Sequence, residues 1–150
     1  MPEASATVII KQPAETVWEY CLVPEHVAAL TPGVVAISPV SDGPVTVGTV
    51  WRGEIKALGR TMDWVGRFTR VDAGSATEFS STDSPFGFRI RATFAEHTDG
   101  VRLTYRIHND GVGGPIGRVA DAIAIRAFQR ALSASARKLP RLVEDWAATR

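Results

Sequence analysis

In Phe86-Gly87-Phe88-Arg89-Ile90-Arg91-Ala92-Thr93-Phe94, apolar side chains occupy every second position and Arg89, Arg91 and Thr93 fill the gaps. Successive side chains of a strand point to opposite faces, so this period predicts a strand with one dry and one wet side. Thr98-Asp99-Gly100 then supplies a turn. The pattern resumes with Val101, Leu103, Tyr105 and Ile107 set against Arg102, Thr104, Arg106 and His108. Two half-wet strands joined by a tight turn make an antiparallel hairpin. Upstream the same period is weaker. Trp51 and Ile55 share one strand, and Met62, Trp64 and Phe68 the next, across a turn at Leu58-Gly59-Arg60; a shorter strand from Ala76 to Ser81 carries Phe79. From Val34 to Asp110 the pattern therefore predicts a meander of about six strands.

The flanks read differently. Ala6-Thr7-Val8-Ile9-Ile10-Lys11-Gln12 is β-branched and stopped by Pro13, as a first strand should be. Val17, Trp18, Cys21 and Leu22 then share a helical face, and Pro24 opens a second short helix carrying Val27, Ala28 and Leu30 until Thr31-Pro32-Gly33 ends it. Beyond Gly111-Val112-Gly113-Gly114-Pro115, apolar residues from Ile116 to Trp146 recur at spacings near three and four, predicting one long helix that Pro140 kinks or interrupts. With no repeat or linker, residues 1–150 read as one α+β domain. Its curved antiparallel sheet of about seven strands wraps a long C-terminal helix, with two short helices after the first strand.

Composition bounds the function. The chain has 150 residues, 45% hydrophobic, with 17 basic and 16 acidic side chains and a net charge of +1. That is enough apolar material for a sizeable core, and too little charge for binding nucleic acid by bulk electrostatics. A single cysteine, Cys21, excludes an internal disulfide and suits a reducing compartment. No apolar run reaches the roughly 20 residues of a membrane span. Met1-Pro2-Glu3-Ala4-Ser5 lacks a signal-peptide pattern, so a soluble cytoplasmic protein is expected.

The sheet's dry face offers rings (Trp51, Trp64, Phe68, Phe79, Phe88 and Tyr105), whereas the long helix offers Ala120, Ala124, Ala127 and Ala131. Large residues facing small ones either pack tightly or leave a cavity, and sequence alone does not choose.

Ile10-Lys11-Gln12-Pro13-Ala14-Glu15-Thr16-Val17-Trp18 resembles the I-x-A-P-x-E-x-V-W opening of the START-like, or SRPBCC, superfamily, with Gln12 in place of the usual Ala. That group includes polyketide cyclase/dehydrase-like proteins and the birch-pollen-allergen fold. Val47-Gly48-Thr49 is similar to the start of its third strand, and Thr98 to Tyr105 to its penultimate hairpin. The resemblance covers nearly the whole chain. It implies a helix-grip fold with a deep, mostly apolar pocket between sheet and helix, but specifies fold rather than chemistry.

Candidate ligand-binding residues are Trp51, Trp64, Phe68, Phe79, Phe88, Ile90, Tyr105, Asn109, Ala124 and Ala127. They describe an aromatic-lined wall with few polar groups, suited to a polycyclic or lipid-like molecule. Candidates for moving a proton or polarising a carbonyl are Tyr105, Asn109 and His26, the last near the pocket mouth, where a plain surface histidine is the simpler expectation. Ser81 and Asp83 also fall near the mouth. No metal site is expected, since His26, His97 and His108 are scattered and the last two read as solvated. Cys21 reads as a small buried hydrophobe, without a histidine at helical spacing to activate it. The glycine-rich run before the long helix fails the G-x-G-x-x-G pattern at Ile116. It reads as a turn, with Arg118 in the first helical turn at most marking a weak anion site. Arg67, Arg89, Arg91, Arg102 and Arg106 should form an outer basic stripe, either neutralised by Glu54, Asp63 and Glu78 or facing an acidic carrier protein.

Three functions follow as expectations. The first is binding of a small hydrophobic molecule by a monomer or homodimer. The second is a polyketide aromatase/cyclase acting without a cofactor. The third is an assembly or maturation factor like the carbon-monoxide-dehydrogenase accessory proteins, which a self-filled cavity would favour.

Overall fold

The computed structural model describes residues 3–57, 59–84, 87–109 and 114–150; the side chains of 57 and 114–122 lie outside that description. Strand β1 (Glu3–Ile10) is followed by helices α1 (Ala14–Tyr20) and α2 (Pro24–Leu30). Strands β2 (Val34–Pro39), β3 (Val50–Ala57), β4 (Arg60–Asp72), β5 (Ala76–Asp83), β6 (Phe88–His97) and β7 (Gly100–Asn109) come next, and helix α3 (Gly114–Ala148) closes the chain. The strands form one sheet in the order β1-β7-β6-β5-β4-β3-β2, every neighbouring pair antiparallel. This is the helix-grip arrangement. The meander is the expected one, with β1 added beside β7.

The alternation does what it predicts. In β7, Val101, Leu103, Tyr105 and Ile107 are buried while Arg102 and Arg106 are exposed. The long strand β4 meets β5 through register shifts at Val65/Gly66 and Phe68/Arg70. Such bulges bend and twist a strand, curling the sheet over its apolar face. At the β6–β7 turn, Gly100 has φ +144° and a Cβ there would collide with the Ile10 carbonyl. Only glycine lets this hairpin sit against the end of β1.

Helix α3 runs the length of the molecule, about 50 Å at 1.5 Å per residue. It lies along β1 and against α1 and α2. Gln129 fixes its seat: Nε2 donates to the Ser5 carbonyl at 2.7 Å, and the Ser5 N–H donates to Oε1 at 2.9 Å. A side-chain amide thus satisfies both backbone groups of Ser5 on an edge strand, which would otherwise be open to pairing. Beyond Gln129, Leu132, Leu139 and Val143 are almost wholly buried against Ile10, Val17, Val101 and Leu103.

Pro140 corrects only the expected interruption. The helix continues through it rather than breaking. An internal proline costs about 3 kcal/mol. Leu132, Leu139 and Val143 each return about 1.5–3 kcal/mol by burial, which is enough to hold the helix on both sides. Tyr20 is a second correction. It lies outside the face assigned to α1, yet is buried, stacked on His26 and set edge-on to Trp146. Phe86 and Gly111–Gly113 lie outside the described residues, as do the side chains of Ile116, Arg118 and Ala120. The weak anion site expected there is therefore outside the description too.

Candidate functional site

Two clusters of buried side chains divide the interior. One joins β1, α1, β6, β7 and the second half of α3. The other gathers Ile37, Trp51, Trp64, Phe68 and Phe79 on the curled β2–β5 part of the sheet. Between the second cluster, α2 and the first half of α3 lies a cavity of about 600 Å³, within the usual range for small-molecule sites. The choice left open by sequence therefore falls on the cavity.

Local sequence explains its shape. Gly53 and Gly66 face inward where a Cβ would strike the Trp64 and Phe79 rings. Missing side chains let those rings lie down on the sheet instead of standing into the interior. Trp51, Trp64, Phe68, Phe79 and Phe88 then interlock, mostly edge to face, with centroids 4.8–6.2 Å apart, a favoured aromatic geometry. On the opposite wall Ala124, Ala127 and Ala131 are exposed, and they line the cavity beside Ile125 and Phe128. Small residues on the helix leave the volume that larger ones would fill.

All ten sequence-derived candidates for ligand contact lie on this wall: Trp51, Trp64, Phe68, Phe79, Phe88, Ile90, Tyr105, Asn109, Ala124 and Ala127. So does His26. Ser81 does not: its hydroxyl accepts the Phe88 N–H at 3.0 Å, and neighbouring Ser84 is the residue on the wall. From α2 and its end, sequence reading placed only His26 near the pocket and missed Val27, Leu30 and Thr31. His26, Val27, Leu30 and Thr31 follow helical spacing and face the cavity together. Apart from His26, that face was legible as a helix but not as part of a site.

Polar groups are few. Tyr105 is buried, and its hydroxyl lies 3.1 Å from Thr31 Oγ1, which in turn donates to the Val27 carbonyl at 2.8 Å. Burial pushes the Tyr105 pKa up to about 12. His26 corrects the surface-histidine expectation. Its ring stacks on Tyr20 at 3.8 Å, meets Trp146 edge-on, and its Nδ1 lies 2.8 Å from the Tyr20 carbonyl. A carbonyl only accepts, so Nδ1 carries the proton, and Nε2 of the neutral ring is an acceptor. Cys21 is half-buried on the cavity wall rather than sealed in the core, and burial pushes its thiol up to about 12. The indoles of Trp51 and Trp64 are almost wholly buried and hydrogen-bond to none of the described residues, yet neither N–H is sealed off from accessible space. Lys56 borders the cavity, but alternation with inward Trp51, Gly53 and Ile55 turns its side chain outward. Among the described residues no carboxylate lies on the wall.

Outside the cavity, Arg67, Arg89, Arg91, Arg102 and Arg106 are exposed on the wet face. Of the three expected counterions only Glu78 serves, bridging Arg91 at 3.0 Å. Glu54 and Asp63 instead stand opposite one another across β3 and β4, and Arg91 stands opposite Arg106. His97 and His108 are half-buried rather than fully solvated. Among the described residues no three His, Cys, Asp or Glu side chains gather as a metal site, and no helix is long and apolar enough to cross a membrane.

A family model described as polyketide cyclase / dehydrase and lipid transport matches residues 1–144. Among solved structures, a protein of Thermus thermophilus superposes with a TM-score of 0.76 at 18% identity, covering 99% of this chain and 100% of that one. A Deinococcus radiodurans protein gives 0.68 at 15% identity, over 93% and 95% of the two chains. Major latex-like protein 151 of Panax ginseng gives 0.57 at 14% identity, over 83% and 92%. At such identities the likeness is one of fold. No curated protein matches the sequence.

Proposed function

The chain belongs to the polyketide cyclase / dehydrase and lipid transport family, and from that premise we propose that it binds one small, uncharged, polycyclic or lipid-like molecule between the sheet and α3. The observation that carries this is the open cavity of about 600 Å³, walled by rings and alanines with no carboxylate among the described residues. Burying the apolar surface of a ligand there supplies roughly 25 cal/mol per Å² before the costs of association are subtracted. The docking-factor alternative drew its support from a cavity filled by its own side chains, and this one is open. Titration with pyrene tests the proposal through the shift of its emission to an apolar-solvent pattern. One pyrene per wild-type chain is expected, and none for Ala127→Phe, which places a ring in the cavity. Equal response from both proteins sinks it.

A cyclase reading of the same cavity draws on one observation, the His26 tautomer that leaves Nε2 as a base on the wall. Tyr105 fits the acid's part poorly, since Thr31 holds its proton and its pKa is raised to about 12. Turnover of a poly-β-ketone that disappears in His26→Gln, with pyrene binding retained, would favour the enzyme over the carrier. The wet-face arginines suit an acidic carrier protein as a partner, since among the described residues Glu78 is the only acidic one paired with any of the five.

A further inference from the structure

Resting on the binding reading above, we infer that Tyr105 presents the cavity with a hydrogen-bond acceptor, selecting apolar molecules that carry a hydroxyl over those whose only oxygen is an ether or carbonyl. Thr31 Oγ1 has one hydrogen, and it is directed at the Val27 carbonyl one helical turn back, at 2.8 Å. In the 3.1 Å contact with Tyr105, Thr31 can therefore only accept, and Tyr105 must donate. Protons then run one way, from Tyr105 to Thr31 to the backbone of α2.

The phenol oxygen is left with its lone pairs and no hydrogen to offer. Both residues of the pair line the cavity. A ligand hydroxyl supplies the missing donor and extends the chain by one link. A methoxy or keto oxygen in the same place would set two acceptors against each other, leaving both unsatisfied away from water. Among the other polar groups on the wall, Asn109 and Ser84 already hold other interactions, the indoles of Trp51 and Trp64 are donors, and the Thr77 hydroxyl on β5 can do either. In the neutral form of His26, which also lines the cavity, Nε2 has the same acceptor sense as Tyr105.

Size-matched pyrenes test this by fluorescence titration at pH 7, with Tm measured for every variant. Wild-type protein should bind 1-hydroxypyrene about tenfold more tightly than 1-methoxypyrene, the worth of one satisfied hydrogen bond. Tyr105→Phe should bring the two within about threefold. Thr31→Val carries the distinctive signature. It frees the Tyr105 hydrogen, so 1-methoxypyrene should gain about threefold or more while 1-hydroxypyrene does not. A purely structural role for the pair would weaken both probes together. Equal wild-type affinities, or no gain for the methoxy probe in Thr31→Val, overturn the inference and leave the binding reading intact. Failure of every pyrene to bind overturns both.

Discussion

Cys21 is the chain's one cysteine, on the cavity wall with its pKa pushed up to about 12 by burial. The thiolate is the reactive form, so iodoacetamide at pH 8 should alkylate it at least about a hundredfold more slowly than a free cysteine. A rate near that of the free thiol contradicts the burial. Tyr105 has its pKa raised by the same cause. Both folded groups hold protons that the unfolded chain releases near its ordinary values of 9.0 and 10.0. Their contribution to stability is full below those values and is lost as pH rises towards about 12. The urea midpoint should therefore fall between pH 9 and 11.5, with Tyr105→Phe flattening the upper part of the curve; a level midpoint is the contrary result. Tyr105 was legible as the one polar tip in the apolar series Val101, Leu103 and Ile107. Its partner Thr31, 74 positions away, was not, because only the folded chain brings α2 over β7.

Among the elements, α3 has two unlike halves. Leu132 is fully buried, so Leu132→Ala should cost about 2–5 kcal/mol in chemical denaturation. Ala127 faces open volume, so Ala127→Phe should leave stability unchanged or raised. If the alanine wall is instead packed, Ala127→Phe will cost about 1–3 kcal/mol as other overpacked cores do. The alanines and the rings were plain in the sequence. Whether they touch depends on where α3 is pinned, and Gln129 decides that through two bonds to Ser5 that no local pattern announces. Pro140 does not interrupt α3 for a related reason, since local preference yields to burial on either side. On the sheet, Arg106 stands opposite Arg91, and like charges across a strand pair cost a few tenths of a kcal/mol. Arg106→Gln should therefore stabilise the protein slightly. A loss of stability would mean that the arginine is held by a structural contact rather than left for a partner.

For the molecule as a whole, the period-two hairpin, the flanking helices and the long final helix carried the fold, because alternation and helical spacing are properties of short stretches. The cavity is a property of the assembled whole. Curl from the β4 bulges, glycines beneath Trp64 and Phe79, and a helix seated at β1 but clear of the β3–β5 wall combine to leave it. Everything proposed about function turns on whether that space holds a ligand. Native mass spectrometry of the protein saturated with 1-hydroxypyrene, set beside its denatured mass, tests this most directly. The account predicts one probe per wild-type chain, released on denaturation, and none on Ala127→Phe. A wild-type chain that keeps its bare mass at saturation would contradict it.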